Sequence, residues 1–325
     1  MILIGSGPFT PGEPAPPRWA VHGVGQILNA PYFPSAHYTH VYDAEFAVGV
    51  LKEKKDAVIG LIGRSYIPTN FFEYLSKQLP GAKFIEMTEQ IDQIKVIKSQ
   101  EEIELIRATA AMQDEAMEEV RGKIKPGMRN FEVSAEAERA VSIRGSERQL
   151  VLVGSAPKGV PAPFQVRRFQ NRMIQEGDQV TVLIEVNGPG GLYTEIARIF
   201  SLGEPSQELV DAFADSLEAQ QHSLDLIKPG AQPGEILAAN NEFLDRKGYK
   251  PELRLYAHGQ GHDLVERPLF LKDETMTIQE GMNITVHPTT ATDTVWGHVC
   301  DNYLIGPEGP GECLHKTPKE IIIIS

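Results

Sequence analysis

The chain has 325 residues, a formal net charge of −13 and a hydrophobic content of 41%. This length predicts two domains, and the ordinary apolar fraction predicts that they bury a large core. The acidic balance argues against a nucleic-acid or anionic-membrane binder, because both need clustered lysine and arginine. We therefore expect a small-molecule or short-peptide substrate, with no nucleic acid and no membrane as partner.

Cysteine usage and the amino-terminal residues predict a location. Cys300 and Cys313 are too few for a disulfide framework, which favours a reducing compartment. No apolar run approaches the roughly 20 residues of a membrane span. The opening stretch MILIGSGPFTPGEPAPPRW has no basic segment followed by a long apolar one, so no secretory signal is expected. The predicted location is the cytoplasm.

The first part of the chain, residues 1–95, is predicted to form a small α/β domain. MILIG, AVIGLIG and AKFIEM are short apolar strands, and TNFFEYLSKQL has the apolar spacing of an amphipathic helix. His37 and His40 could suggest a metal pair, but no third ligand accompanies them in the sequence. A structural or surface role is predicted for both.

Helices are predicted to dominate the next segment. Ser99 and Glu102 form a capping box at the start of a helix whose buried stripe recurs at helical spacing. The residues of that stripe are Ile106, Ala110, Met117 and Val120. Further helices are predicted over 130–144, 206–227 and 233–247, where glycines or a Lys-Pro-Gly sequence supply the stop signals. Helices that alternate with hairpins indicate an α+β domain.

Two strands, Val180–Val186 and Leu192–Leu202, flank the turn sequence NGPGG and predict a β-hairpin. If Val186 pairs with Leu192, the alternation of side chains brings one set of residues to a single face. That set is Leu183, Glu185, Tyr193 and Glu195. On these residues alone, two carboxylates on one face indicate either a chemical site or the solvated face of an edge hairpin.

The HGQGH sequence at 258–262 places glycines beside histidines. The backbone can thus approach a ligand closely while an imidazole that titrates near neutral pH faces it. Downstream, ITVHP and HVCDN bring His287, His298 and Cys300 to predicted strands. The NGPGG turn lacks the Lys-Ser/Thr pair of a phosphate loop and leads into a strand, which argues against a nucleotide site.

These segments together resemble the pita-bread family of creatinase, aminopeptidase P, prolidase and methionine aminopeptidase. YTEIAR is similar to the family's Tyr-x-Ser-Asp-Ile-Thr-Arg strand, and HGQGHDLVERP to its His-Gly-x-Gly and Glu-x-Pro signature. ITVHP and HVCDN are similar to strands that carry Glu-Pro and Glu-Asp, and KSQEEIELIRATAAM to the helix that precedes them. The resemblance implies a pita-bread α+β domain with a curved antiparallel sheet over 96–325, behind a shortened creatinase-type domain over 1–95. It also implies a homodimer.

The resemblance further implies that the family's dinuclear metal site is absent. Metal-dependent members hold two divalent ions with two Asp, one His and two Glu. The matching positions here are Leu183 or Ile184, Glu195, His258, His287 and Cys300. Two further family histidines are replaced by Val265 and Phe164. A standard Xaa-Pro peptidase mechanism is therefore not expected.

Creatinase, which uses this fold without metal, supplies the leading hypothesis. The chain is then a hydrolase or lyase of a small C–N-bonded or peptide-like substrate, with no cofactor and with histidine-centred acid–base chemistry. The catalytic residues implied are His258, Glu195 and Glu266. The substrate-binding residues implied are His262, His287, His298, Cys300, Tyr193, Arg198 and Glu185.

Two alternatives stay open. The first is an Xaa-Pro-type peptidase with one relocated metal ion, held by Glu195, His258, His287 and Cys300, a set that suits zinc or another transition ion. The second is a catalytically silent binding protein on a peptidase fold. Cys300 could also be a nucleophile, although a small buried residue in a strand is the more ordinary interpretation.

Overall fold

The computed structural model describes residues 1–6, 21–53 and 56–324. They form two compact units, Met1–Ile91 and Asp92–Ser325. The boundary between the units thus lies four residues before the predicted boundary at residue 95. Residues 7–20 lie outside the described part, and with them most of the stretch on which the expectation of no secretory signal rests. Among the helices of the described residues, none is long and apolar enough to cross a membrane.

In the first unit, the described residues form two pairs of parallel strands and two helices. β1 (Ile2–Ser6) pairs with β2 (Gln26–Ala30), and β3 (Val58–Leu61) pairs with β4 (Lys83–Glu86). The helices are α1 (His40–Leu51) and α2 (Thr69–Gln78), and α3 (Thr88–Lys95) follows β4. Three strands and α2 match the predicted segments, whereas β2 and α1 were not predicted. His37 begins a 3₁₀ turn and His40 begins α1, and neither joins a metal-donor group within the described residues.

The second unit begins its helical framework at the predicted capping box. The Glu102 N–H donates to Ser99 Oγ at 3.3 Å, and the Ser99 N–H donates to Glu102 Oε2 at 2.7 Å. The predicted apolar stripe of this helix is buried in full. The helices are α4 (Gln100–Arg121), α5 (Asn130–Ser142), α6 (Gln207–Leu226) and α7 (Pro233–Arg246). Their bounds lie within two residues of those predicted for α5, α6 and α7.

Two larger sheets form the centre of the second unit. The four-stranded sheet has the order β15-β7-β6-β5, antiparallel except for the parallel pair of β15 and β7. Its strands are β5 (Gln149–Ala156), β6 (Gln179–Asn187), β7 (Tyr193–Leu202) and β15 (Ile321–Ile324). The antiparallel five-stranded sheet has the order β14-β13-β10-β8-β9. Its strands are β8 (Ala257–Gly259), β9 (Glu266–Leu269), β10 (Asn283–Val286), β13 (Asp301–Gly306) and β14 (Gly309–Cys313).

The two sheets meet where a bridge joins Ala197 of β7 to Cys300, the residue before β13. A further small antiparallel pair, β11 (Thr289–Ala291) and β12 (Trp296–His298), continues from β10 along the chain. α4 and α5 cover the four-stranded sheet with one apolar cluster, and α6 and α7 contribute to a second cluster on the five-stranded sheet. Every residue of β6 and β7 is buried, so polar groups on these strands are enclosed. The predicted α+β class is confirmed.

Candidate active site

Three buried polar side chains converge where the two sheets meet. Glu195 lies on β7, His258 on β8 and His287 directly after β10. The Oε2 atom of Glu195 lies 3.7 Å from Nε2 of His258 and 4.0 Å from Nε2 of His287. One donor atom from each residue lies within 4.8 Å of the donor atoms of the other two. Among the described residues, no other group of three or more possible metal ligands meets this distance. We call Glu195, His258 and His287 the three-donor cluster.

Backbone pairing fixes the orientation of these side chains. The ring nitrogen Nδ1 of His258 lies 2.8 Å from the carbonyl oxygen of Gly259, so Nδ1 carries the proton and donates it there. The Nε2 atom on the other side of the ring therefore keeps its lone pair toward the cluster. A backbone carbonyl bound to the second ring nitrogen is the arrangement that fixes the tautomer of metal-binding histidines. The Nε2 atom of His287 is buried and has no hydrogen-bond partner among the described residues.

Burial governs the protonation of the cluster. It raises the pKa of Glu195 to about 7, against the lowering effects of the Cys300 thiol and the Arg254 charge. It lowers the pKa of His258 to about 4. It also lowers the pKa of His287 well below its ordinary value, helped by the charges of His258 and Arg254. At neutral pH both imidazoles are neutral and can donate lone pairs, while Glu195 is poised between its two protonation states.

Cys300 stands beside the cluster without joining it. Its thiol is fully buried and lies 3.3 Å from Thr285 Oγ1 and 3.6 Å from the main-chain carbonyl oxygen of Glu195. Burial and the charge of Glu195 raise the pKa of the thiol well above its ordinary value. A thiol with a raised pKa is a poor nucleophile and a poor metal ligand. Of the four residues predicted to hold a relocated metal ion, Glu195, His258 and His287 therefore converge, and Cys300 does not join them.

The hairpin brings a second carboxylate to the same face. Glu185 lies directly opposite Glu195, because Val186 pairs with Thr194 and not with Leu192 as predicted. The register differs from the prediction by two residues, which leaves every side chain on its predicted face. Burial and the charge of Glu195 raise the pKa of Glu185 well above its ordinary value.

An amide network holds this second carboxylate. Gln260 Nε2 donates to Glu185 Oε1 at 2.8 Å, and Asn302 Nδ2 donates to Gln260 Oε1 at 2.9 Å. Asn302 Oδ1 in turn accepts the backbone N–H of Glu195 at 2.7 Å. The network thus links the carboxylate of Glu185 to the backbone of Glu195 through one chain of hydrogen bonds. The sequence analysis missed Gln260 and Asn302, although Gln260 stands between the two glycines of HGQG.

Arg198 is buried in structural contacts. Its guanidinium donates to Asp301 Oδ1 at 2.7 Å, and both side chains are fully buried. All five of its N–H groups are engaged, which leaves none for the substrate that the sequence analysis assigned to it. The acceptors are Ala197, Cys300, Asp301, Thr317 and Pro318.

The structure places three other predicted residues outside the cluster. Glu266 forms a buried ion pair with Lys98. His262 Nε2 lies 2.9 Å from Glu102 Oε1 and is one-third exposed. Tyr193 donates its backbone N–H to the carbonyl of Gly261 at 2.8 Å, and its side chain lines a cavity of about 500 Å³ together with His262. Their predicted catalytic or binding roles stay predictions.

His298 lies on the opposite flank of the cluster. Its ring centroid is 6.2 Å from that of His287, and its Nδ1 lies 3.0 Å from Thr289 Oγ1. Burial lowers the pKa of His298 well below its ordinary value, helped by the charge of Arg254. Trp296 stacks on the His298 ring. Neither Trp296 nor Arg254 was predicted from the sequence. Strand alternation places Trp296 on the face of His298, whereas only the folded chain brings Arg254 beside Trp296.

Comparisons with known proteins identify the family. Residues 104–307 match metallopeptidase family M24. Among curated relatives, the probable dipeptidase PepE of Mycobacterium tuberculosis is 25% identical over 239 residues, which cover 73% of this chain and 63% of PepE. The Xaa-Pro dipeptidase of Pyrococcus furiosus is 25% identical over 247 residues, covering 74% of this chain and 69% of the relative. The chain thus spans less than two thirds of the length of PepE.

A solved structure shares the fold. The X-Pro aminopeptidase of Thermotoga maritima superimposes with a TM-score of 0.77 at 22% identity, over 86% of this chain and 78% of that protein. This similarity confirms the predicted pita-bread architecture. The family match extends from α4 through β13 and includes all three residues of the cluster. The chain belongs to metallopeptidase family M24.

Proposed function

We propose that this protein is a peptidase-type hydrolase of short peptides that works with a single divalent transition-metal ion. The observation that carries the proposal is the convergence of Glu195, His258 and His287 at donor separations of 3.7 and 4.0 Å. Two imidazoles and one carboxylate are a donor set of hydrolytic zinc sites. The names of the relatives, dipeptidase and Xaa-Pro dipeptidase, support a peptide substrate.

The donor set fits one ion better than two. The dinuclear site implied by the family resemblance needs four carboxylates and one imidazole, whereas this cluster offers two imidazoles. Glu185 is the second carboxylate on the face, and its Oε1 already accepts a hydrogen bond from Gln260. By contrast, the buried Nε2 of His287 has no partner among the described residues, and a lone pair in that state suits a metal ion. Imidazole ligands favour zinc, iron, nickel or copper.

Each residue then has a defined part in hydrolysis. Glu195, His258 and His287 would hold a divalent ion, and such an ion, when bound, would supply Lewis-acid activation of the peptide carbonyl and of water. Burial and the charge of Glu195 raise the pKa of Glu185 well above its ordinary value, which favours the protonated form of this carboxyl group. We assign to it the transfer of a proton to the leaving amine, as a general acid. Gln260 holds that carboxyl group in place.

Hydrolysis of dipeptides by metal-depleted and reconstituted protein tests this function. Alanylproline and alanylalanine would be incubated with the chelated protein and with protein reloaded with Zn²⁺, Mn²⁺, Co²⁺ or Fe²⁺. We expect release of free amino acids from reloaded protein only, and loss of that activity in His287→Ala. His222→Ala is the matched control, since His222 stacks on Phe243 at 5.3 Å in another part of the unit. Absence of turnover with every metal would contradict the proposal.

A metal-free hydrolase of creatinase type is the second candidate. The observation that favours it is the pKa of Glu195, raised to about 7 by burial, beside a neutral His258 at 3.7 Å. Such a pair can exchange a proton with a substrate near neutral pH without any ion. This candidate predicts turnover of small amides or amidines that chelation leaves unchanged. A protein that binds no metal and turns over neither substrate class would instead be a silent binding protein.

A further inference from the structure

One strand beside the cluster presents two aromatic side chains that the proposed mechanism does not use. Trp296 and His298 stand two residues apart on β12, so their side chains share a face. Their rings stack with centroids 6.3 Å apart and an interplanar angle of 21°. Because the His298 ring also lies 6.2 Å from the His287 ring, this pair adjoins the three-donor cluster.

The pair is held in place from two sides. Phe164 meets the His298 ring edge to face, with centroids 4.8 Å apart. Behind the pair, a Cβ atom on Gly297 would lie 2.5 Å from Thr290 Oγ1 and 2.6 Å from the carbonyl oxygen of Ala212. The strand therefore sits against α6 at a distance that only glycine permits. This close approach fixes which way Trp296 and His298 face.

Trp296 offers a hydrogen-bond donor for which the described residues supply no acceptor. Its Nε1 atom is buried and has no partner among the described residues. An indole N–H is a donor only, so the group that completes it must be an acceptor. A buried N–H without a partner costs free energy, and a ligand that supplies an acceptor recovers it.

His298 offers a second donor, and its neighbours fix the tautomer. Thr289 Oγ1 accepts a hydrogen bond from Arg254 and lies 3.0 Å from His298 Nδ1. Within the described residues the Thr289 hydroxyl has these two hydrogen-bond partners. Because Arg254 is the donor in the first bond, the hydroxyl donates its single hydrogen to Nδ1 of His298 in the second. The ring proton of His298 then resides on Nε2. That atom is buried and also lacks a partner among the described residues.

Positive charge lies at the same place. The guanidinium of Arg254 stands 5.6 Å from the centroid of the Trp296 ring. It also pairs with Glu252, through Nη2 and Oε2 at 2.8 Å, which sets its orientation. The other carboxylate near this flank, Glu195, belongs to the three-donor cluster. Two unpartnered N–H donors beside an arginine favour a ligand group with two acceptor atoms and a negative charge.

We infer that Trp296 and His298 form the subsite that receives the free carboxylate of a short peptide substrate, with one carboxylate oxygen for each N–H. Arg254 orients His298 through Thr289 and is a positioning residue. This inference rests on the proposed function for the identity of the substrate. A carboxamide in place of the carboxylate would face one of the two donors with its own NH₂ group, and should bind less well.

Kinetics with paired substrates test the subsite. Alanylproline and alanylprolinamide would be compared in the wild-type protein, Trp296→Phe, His298→Gln and the control Trp19→Phe. The wild type should prefer the free acid, by about tenfold or more in kcat/KM, because hydrogen bonds to a charged group are the strong ones. Trp296→Phe keeps an aromatic ring but removes the N–H. It should raise KM for the acid by about tenfold and KM for the amide by less, and so lower the preference for the acid.

The subsite would be overturned if the ratio of kcat/KM for the acid to that for the amide were the same in all four proteins. These proteins are the wild type, Trp19→Phe, Trp296→Phe and His298→Gln. Thermal unfolding of each variant, compared with the wild type, separates a local effect from a failure to fold.

A second measurement does not depend on turnover. The sequence contains two tryptophans, so Trp296 is the sole fluorophore of its kind in Trp19→Phe. Titration of that variant with alanylproline should give a saturable change in Trp296 emission, and alanylprolinamide should give a weaker one. If this change appears while no peptide is hydrolysed, the proposed function fails and the carboxylate subsite stands. If hydrolysis occurs and no saturable change appears, the subsite fails and the proposed function stands.

Discussion

The Glu195 carboxylate lies 3.7 Å from Nε2 of His258, although β7 and β8 belong to different sheets of the second unit. Ala197 and Cys300 bridge the two sheets beside this contact. The candidate site therefore depends on the junction of the sheets, and neither sheet carries it alone. Two buried ion pairs of the same unit, Lys98–Glu266 and Arg198–Asp301, can be tested separately from the three donor residues.

Metal affinity should depend on pH through Glu195. Burial raises its pKa to about 7, whereas it lowers the pKa of His258 to about 4. A metal ion competes with a proton at Glu195 below pH 7, while His258 is already neutral there. We expect Zn²⁺ affinity to fall about tenfold for each pH unit below 7 and to level off above it. The Zn²⁺ affinity would be measured by competition with a chromophoric chelator over about pH 5.5 to 8.5. Glu195→Gln should bind more weakly and lose the slope, and an equal slope in that variant would exclude Glu195 as the titrating ligand.

Replacement of Glu185 should affect catalysis more than metal binding. Glu185→Gln keeps the size of the side chain and removes its exchangeable acid proton. We expect kcat to fall by about 10²–10⁴-fold with metal content unchanged, because that is the usual contribution of a general acid. Steady-state kinetics of reloaded protein provide the measurement. Glu147→Gln, elsewhere in the same unit, is the control, and unchanged kcat in Glu185→Gln would refute the assignment.

The Lys98–Glu266 pair should contribute to stability rather than to chemistry. Both side chains are almost fully buried, and a carboxylate left there without its partner is costly. Lys98→Met should lower the free energy of unfolding by about 3–5 kcal/mol. The double variant Lys98→Met/Glu266→Gln should recover part of this loss. Urea denaturation of chelated protein measures both. If Glu266→Gln instead lowers kcat by orders of magnitude at unchanged stability, Glu266 is the catalytic residue that the sequence analysis predicted.

The Arg198–Asp301 pair should behave in the same way at the sheet junction. Arg198→Ala removes the cation that donates to Oδ1 of the fully buried Asp301 and leaves the Lys319 ammonium, 3.6 Å from Oδ2, as its remaining cation. We expect a loss of about 3–5 kcal/mol in the free energy of unfolding. Lys250→Ala breaks an ion pair whose side chains are 84% and 93% exposed, and should change little. Comparable urea midpoints for Arg198→Ala and Lys250→Ala would show that the buried pair does not hold the sheets together.

The hairpin explains how much of the site could be predicted from the sequence. Strand alternation fixes which side chains share a face, so Glu185 and Glu195 were correctly grouped although the register was two residues off. Counting residues against the family strand, however, assigned the first acidic position to Leu183 or Ile184. In the structure Leu183 pairs with Ala197 and packs with Cys300, and Glu185 is the acidic residue that faces Glu195.

Contacts between distant segments account for what could not be predicted. Lys98 and Glu266 are 168 positions apart, and no periodicity in either segment indicates that they meet. The stacking of Trp296 on His298 follows from strand alternation, but the approach of Arg254 to Trp296 requires the folded chain. Cys300 was included in the metal set by its position in a motif. Its bonds to Thr285 and to the Glu195 carbonyl are visible only in the structure.

The central claim is that Glu195, His258 and His287 hold one metal ion, and elemental mass spectrometry tests it most directly. The protein would be purified without chelator or a metal-affinity column, beside His287→Ala and the control His222→Ala. We expect about one equivalent of a transition metal per chain in the wild type and in His222→Ala, and little in His287→Ala. Two equivalents per chain, a full equivalent in His287→Ala, or a wild type that takes up no metal even after incubation with Zn²⁺, Mn²⁺, Co²⁺ and Fe²⁺ would contradict it.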